Sequence, residues 1–376
     1  MSAFDDAVTS AELARTQGNL LSEQLAAAQQ KVAALEGLRE VDQAEIARLR
    51  AEIAELQARI DELEGSEPHR VLMGWWASSS IERDAAALED LSGTKPDILR
   101  SRGGEGEFDD PWLVDETKRF VAKGYLPSLQ IQPKVGTGPK RHGVGVERIL
   151  AGSFDAKIRS GLNEWKQLPA GSYVVEVVSE ANIQQAPFES QPFLAGFDAA
   201  KGACTRAMTP VEYAKLLRHI DRLAREEGVR ARMKTCVSLT SGKWNSASKT
   251  DGWSGLNMTA LLAPLVADGV VDLIAVDGYC GGKFSEANTP ATIASGVRKV
   301  AAALGVPWSV METGVVGTGA FKREWYRAWM AELDEQCYAF VQNVHREQDS
   351  DLLDFRPWVP EGALPGFQEL MHGATL

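Results

Sequence analysis

Residues 305–314 read GVPWSVMETG, an apolar run that ends in a carboxylate. Val306, Trp308 and Val310 alternate with Pro307, Ser309 and Met311, and Glu312 follows just before Thr313 and Gly314. A strand buried on both faces, as in a parallel sheet covered by helices, has no cheap place for an ionised glutamate. The carboxylate therefore belongs at a strand end, where a site opens. It calls for a partner elsewhere in the chain, and for a fold that brings strand ends together.

Outward from this stretch, short apolar runs alternate with amphipathic ones. The runs predict strands at 71–76, 97–101, 126–132, 173–180, 229–239, 271–279, 306–312 and 338–344. Between them, helical spacing predicts helices at 110–123, 145–167, 210–227, 257–266, 290–304 and 321–335, with a last one at 365–371 and a weaker connection at 81–92. Eight strands, each followed by a helix over about 300 residues, are the pattern of a (β/α)8 TIM barrel in the α/β class. A doubly wound sheet would place a Gly-rich phosphate turn directly after an early strand. The stretch GVGVERIL (143–150) follows a long loop instead.

In such a barrel the chemistry sits at the C-terminal ends of the strands. Two strands end in glutamate: strand seven at Glu312, and strand four, SYVVEVVSEAN (172–182), at Glu180. Retaining glycoside hydrolysis uses two carboxyl groups across one sugar, one as nucleophile and one as acid/base. Strands four and seven face each other across the mouth, so Glu180 is the partner sought for Glu312. Glu176, four residues earlier on the same face, points into the barrel below the site. Strand five carries Arg230, Arg232 and Lys234 at alternating positions, and one of them is expected to pair with Glu176.

Residues 11–64 obey different physics. They contain almost no Gly and no Pro, and a heptad register runs from Leu25. Leu25, Val32, Arg39, Ile46, Ile53 and Ile60 fall at a; Ala28, Leu35, Asp42, Leu49, Leu56 and Leu63 fall at d. A held 3.5 period predicts a coiled coil rather than a surface helix. Glu45 facing Arg50 and Arg59 facing Glu64 fit a parallel, in-register homo-oligomer through residues 25–64, a dimer or a trimer. Gly65 and Pro68 break the helix. The expected organisation is a lead (1–10), a coiled-coil helix (11–64), a linker (65–70) and a barrel (71–376).

Composition narrows the function classes. A formal charge of −12 with no clustered basic stripe argues against nucleic acid. No run of about 18 apolar residues exists to insert in a membrane. The start, MSAFDDAVTSAEL, lacks the basic and apolar regions of a signal peptide, so cytoplasmic synthesis without ordinary export is expected. Cys204, Cys236, Cys280 and Cys337 are far apart and read as reduced, buried thiols. No His or carboxylate pair has metal-ligand spacing, so neither a metal nor another cofactor is expected.

The barrel region resembles glycoside hydrolase family 26 and its relatives, in the clan with the acid/base on strand four and the nucleophile on strand seven. The family's strand-four motif, roughly His-Glu-Met-Asn, is matched by SEAN (179–182), which implies Glu180 as acid/base and Asn182 as a retained support. TPVEYAKLLRHIDRLAREEG (209–228) is similar to the family's next helix. VDLIAVDGYCGG (271–282) is similar to its strand six, where a tyrosine hydrogen-bonds the nucleophile, here Tyr279. METG (311–314) resembles its nucleophile motif and implies that role for Glu312. The resemblance spans about residues 71 to 376. It departs at Ser179, where the family has His, and at KTCVSLT (234–240), where a Trp-containing ending is expected. The clan's strand-two arginine, which holds the nucleophile ionised, falls on Arg100 or Arg102.

Flat aromatic faces stack on sugar rings, so tryptophans near the mouth are candidate substrate contacts. Trp75 and Trp76 end strand one, and alternation sends only one of them inward; Trp244 and Trp253 lie in the loop after strand five. His345, ending strand eight, is a further candidate, although a lone His is more often structural. Trp112, Trp165, Trp325 and Trp329 lie on helices and read as core.

Together these features imply a retaining, endo-acting glycoside hydrolase on a β-linked surface polysaccharide. A hydrolase barrel behind an oligomerising coiled coil resembles bacteriophage minor tail or receptor-binding proteins. Virion placement beside other tail proteins is therefore expected, with a cytoplasmic glycosidase as the alternative. The competing functions are a catalytically inactive carbohydrate-binding barrel and a structural tail adaptor.

Overall fold

The computed structural model describes residues 70–76, 89–100, 111–131, 133–135, 142–168, 173–184, 193–344, 354–357 and 362–373, with isolated positions between 22 and 56 and at 86 and 359. The chain divides into two units, Met1–His69 and Arg70–Leu376. In the first, only scattered helical positions are described, so the heptad seam, its oligomer and the break at 65–69 lie outside the described residues.

In the second unit, eight parallel strands close into a barrel among the described residues. They are β1 (Leu72–Trp76), β2 (Ile98–Arg100), β3 (Leu126–Ile131), β4 (Tyr173–Val177), β5 (Met233–Thr240), β6 (Leu273–Cys280), β7 (Trp308–Val315) and β8 (Cys337–Asn343). Each pairs with its sequence neighbours, and β8 returns to β1 with Leu72 opposite Ala339 and Trp76 opposite Asn343. Around them lie α1 (Pro111–Ala122), α2 (Asp155–Trp165), α3 (Pro210–Glu226), α4 (Gly255–Ala267), α5 (Pro290–Leu304), α6 (Gly319–Met330) and α7 (Leu364–Gly373).

The helices start where side chains can satisfy their free N–H groups. Thr209 accepts from the Glu212 amide while the Glu212 carboxylate accepts from the Thr209 amide, a full capping box with Pro210 in the first turn. Ser254, Thr289 and Thr318 cap α4, α5 and α6 by accepting from the amides of Asn257, Thr292 and Phe321. Gly305 ends α5 in the left-handed conformation, with φ of 70°, and turns the chain into β7.

Strand alternation divides the core into two layers. Ile98, Val174, Cys236, Ala275, Met311, Ala339 and Val341 fill the inside of the barrel. Leu99, Val175, Val237, Ile274, Val276, Val310 and Phe340 face the helices. Two residues beyond the inner layer, at the C-terminal ends, the same faces carry Arg100, Glu176, Ser238, Asp277 and Asn343. The polar mouth is thus the continuation of an apolar plug.

Three expectations are corrected. The helix expected at 145–167 is two pieces, Val146–Leu150 and α2, parted where Gly152 takes a φ of 84°. Strand five begins at Met233 because Arg230–Arg232 form a 3-10 turn. The segment between β4 and α3 contains a hairpin, Ala195–Asp198 with Ala203–Arg206, that periodicity did not reveal.

Candidate active site

Arg100 organises the mouth. It ends β2 fully buried and donates from both guanidinium ends to Glu176, at 3.0 Å to each carboxylate oxygen. It also donates to Ser179 Oγ at 2.9 Å and to the Met311 carbonyl at 2.5 Å. The Glu312 carboxylate lies 3.6 Å from the same guanidinium. Planar, forked donors suit this multiple recognition in a way that an ammonium would not. Burial opposes the charge, yet Glu176, Asp277 and Glu312 hold the guanidinium firmly protonated.

This overturns the partner expected for Glu176. None of the strand-five cations reaches it: Arg230 pairs with Asp221 and Asp272, Arg232 donates to the Trp165 and Leu168 carbonyls, and Lys234 lies over the Tyr338 ring. Arg230 and Arg232 sit in the 3-10 turn below the barrel, whereas Arg100 and Glu176 project inward at its mouth from β2 and β4, the two strands that flank β3.

Glu312 owes its position to an irregularity. Val276 pairs with Val310, but the next residue of β6, Asp277, pairs with Glu312, so Met311 is an extra residue on β7. Met311 fills the inner layer. Strict alternation would then send Glu312 to the helix side, with Trp308 and Val310. The bulge returns it to the mouth, where it is partly exposed and accepts a hydrogen bond from the Tyr279 hydroxyl. Asn343 donates to that same hydroxyl at 3.2 Å. Tyr279 thus ties β6 to the β7 carboxylate and to Asn343 of β8.

Glu180 lies beyond the end of β4, in a turn with two residues in left-handed backbone, Val178 at φ 61° and Glu180 at φ 48°. For a β-branched residue such as Val178 that conformation is strained, and strain of this kind persists only where the surroundings over-determine it. Val178 donates its N–H to the Ile131 carbonyl, and Asn182 locks the turn to the end of β5 through Thr240, at 2.9 and 3.1 Å. Burial, and then the charge of Glu312, push the Glu180 carboxyl up to about 8, against the pull of Arg100. It therefore carries a proton at neutral pH. Burial raises Glu176 and Asp277 as well, both opposed by Arg100. Arg100 thus acts on Glu176, Glu180, Asp277 and Glu312 at once.

Asp277 and Asn343 were not singled out from the sequence. Asp277 is buried and accepts from Ser238 Oγ. It stands two residues before Tyr279 on the same strand face, so alternation carried the signal. Phe355, packed on the Tyr279 ring with centroids 4.8 Å apart, left no local signal, because it arrives from beyond β8.

The tryptophans are corrected. Trp75 is fully buried on the helix side of β1, its ring 6.3 Å from that of Phe367, because alternation places it with Val71 and Met73. Trp244 is buried under α5 and donates from its indole N–H to the Ala275 carbonyl at 2.7 Å. Neither has a face to offer a sugar. Trp253 is half-buried against Tyr213 of α3, with ring centroids 5.7 Å apart. The Trp76 side chain, Arg102 and His345 lie outside the described residues. The four cysteines are buried and form no disulfide. Among the described residues no cluster of His, Cys, Asp and Glu is arranged to hold a metal, and no helix is long and apolar enough to cross a membrane.

A cavity of about 490 Å³ lined by Ser295, Arg298, Lys299, Glu332, Asp334 and Gln336 opens beside α5, where Asp334 and Gln336 lead into β8. It lies towards the N-terminal end of the barrel, away from the carboxylates.

No protein-family model and no curated protein matches the sequence. Solved structures do match the fold. A β-mannanase of glycoside hydrolase family 26 from Bacteroides ovatus aligns over 84% of this chain and 92% of its own, at 13% identity and a TM-score of 0.54. A modular endo-β-1,4-mannanase from Cellulomonas fimi aligns over 82% and 72%, at 16% identity and a TM-score of 0.54. Fungal β-1,4-galactanases align over 78% and 99%, at 14% identity and a TM-score of 0.54. At such identities the likeness establishes a shared (β/α)8 barrel.

Proposed function

We propose that residues 71–376 form a retaining, endo-acting glycoside hydrolase that cleaves a β-linked polysaccharide by double displacement. The observation that carries this reading is the division of labour between two carboxyl groups at one mouth. Glu180 is held protonated by burial and by the charge of Glu312, while Glu312 is placed beside a guanidinium and a phenol. Pairs of carboxyl groups driven apart in this way are how glycosidases assign acid and nucleophile.

In this reading the reaction runs in two displacements. The Glu312 carboxylate attacks the anomeric carbon as the glycosidic bond breaks, and Glu180 gives its proton to the departing oxygen. A covalent glycosyl ester on Glu312 results. Glu180, now ionised, takes a proton from water; the water oxygen bonds to the anomeric carbon, the ester breaks, and the product keeps its configuration. Tyr279 and Arg100 hold Glu312 in line throughout. The β-mannanase and β-galactanase names of the structural neighbours favour a β-linked hexose polymer as substrate class. A polysaccharide displayed on a bacterial surface, met by a minor tail protein whose heptads at 25–64 join it to the virion, fits the sequence pattern best.

The test is release of reducing ends from a panel of β-linked mannans, galactans and bacterial surface polysaccharides, with proton NMR of the first-formed anomer. Release of product with retained configuration is expected from the wild type, and no release from Glu312→Ala. If the wild type binds a glycan and releases nothing, and Glu312→Ala binds it equally, the barrel is a carbohydrate-binding module. Ser179, bound to Arg100 where the family has His, is the observation that favours this second reading. Cosedimentation of the protein with virions tests its placement.

A further inference from the structure

Lys322 stands in the first turns of α6, the helix that follows β7, and is 1% exposed. Its ammonium donates to the carbonyl of Asp354 at 2.8 Å and to that of Arg356 at 3.0 Å. A charge is not buried without cause. Burial lowers this one to about 8 against the support of Asp354, so it stays charged at neutral pH.

The two carbonyls flank a single residue, Phe355. The Arg356 side chain closes on the Asp354 carboxylate with two further hydrogen bonds of 2.9 and 2.7 Å, so the segment is a small self-tied turn that presents Phe355. The Phe355 ring lies on Tyr279, centroids 4.8 Å apart, and over Gly314, where an added Cβ would come within 2.7 Å of it. Phe284 stacks on Tyr279 as well, at 4.9 Å and 21°. The phenol held this way is the one that donates to Glu312.

We infer that Lys322 is a positioning residue for the proposed nucleophile: by clamping the carbonyls on either side of Phe355 it holds that ring against Tyr279 and thereby fixes the hydrogen bond to Glu312. The contacts run without a gap, from ammonium to turn, to ring, to phenol, to carboxylate. The inference rests on the nucleophile role given to Glu312 above. Its test reads Tyr279 directly, so the two can fail separately.

The experiment places 3-fluorotyrosine at position 279 of the full chain and follows its fluorine resonance in Lys322→Met and Lys322→Gln, alongside kcat and KM. The Met side chain fills the space and donates nothing; Gln keeps two N–H donors on a shorter arm. Met is expected to shift or broaden the resonance and to lower kcat about tenfold, with KM within about twofold, because displaced catalytic groups lose rate rather than binding. Gln should fall between Met and wild type. If the folded Met variant, or the Gln variant should Met fail to fold, keeps the wild-type resonance and kcat and loses only melting temperature, Lys322 is structural and the inference is overturned. If the resonance responds while the wild type hydrolyses no glycan, the link from Lys322 to Tyr279 stands and the hydrolase reading falls.

Discussion

Replacing Glu180 by Gln removes one ionisable group and leaves the shape of the turn nearly unchanged, so its effect on stability isolates the electrostatics of the mouth. In the folded chain the carboxyl keeps its proton up to about pH 8; its ordinary value is 4.5. Between those values the folded state binds more protons than the unfolded state, and stability must fall as pH rises. The slope reaches about 1.4 kcal/mol per pH unit for a whole proton, so the accumulated loss is on the order of a few kcal/mol. At pH 5 the native glutamate is neutral and resembles glutamine. At pH 9 it is charged, half-buried and under the charge of Glu312, and glutamine is free of that cost. The melting temperature of Glu180→Gln relative to wild type should therefore rise between pH 5 and pH 8 by roughly 4–8 °C and level off above. Calorimetry on both proteins at pH 5, 7 and 9 measures it, and groups common to both largely cancel. A difference constant across that range would refute the desolvated, proton-bearing Glu180 and with it the assignment of the general acid. The same variant should lose about 10²–10⁴-fold in kcat/KM.

Wild-type hydrolysis should decline as pH rises past about 8, where Glu180 gives up the proton it must donate, and a pH–rate profile reads this directly. Arg100→Met should destabilise the barrel by about 3–5 kcal/mol in urea unfolding, because Glu176 and Ser179 lose a buried partner, and Arg100→Lys should not rescue it. Gly314→Ala should cost about 1–3 kcal/mol and lower kcat, since its Cβ would meet Phe355 at 2.7 Å and Tyr279 at 3.3 Å; a matched loss of stability with unchanged kcat would count against the packing of Phe355 on Tyr279. Trp244→Phe should lower stability through the lost hydrogen bond to Ala275 and leave KM for glycans unmoved.

Some of this was present in the sequence, for a local reason. A parallel strand buried on both faces must be apolar throughout, and a surface helix must show one apolar stripe, so eight repeats of that alternation determined the barrel. An apolar run that ends in a glutamate also points to a mouth, which is the sequence signal behind the proposed pair Glu180 and Glu312, although β4 stops at Val177 and β7 runs on to Val315. The coiled-coil pattern of residues 25–64 was equally legible as a pattern. Three decisions belonged to the tertiary structure, because each depends on what a neighbouring strand does. The extra residue at Met311 is visible only in the pairing of β7 with β6; by alternation alone Glu312 would have pointed away from the site. Strand five offers Glu176 the nearest cations in the sequence, but Arg230 and Arg232 lie in a turn beneath the barrel and Lys234 lies over the Tyr338 ring, and the buried pair is made with Arg100 from β2. Aromatic type alone could not separate Trp75 and Trp244, which fill the core, from Phe355, which comes from beyond β8 to pack on Tyr279. Periodicity assigns a side chain to a face. Only the closed barrel decides which charges share that face.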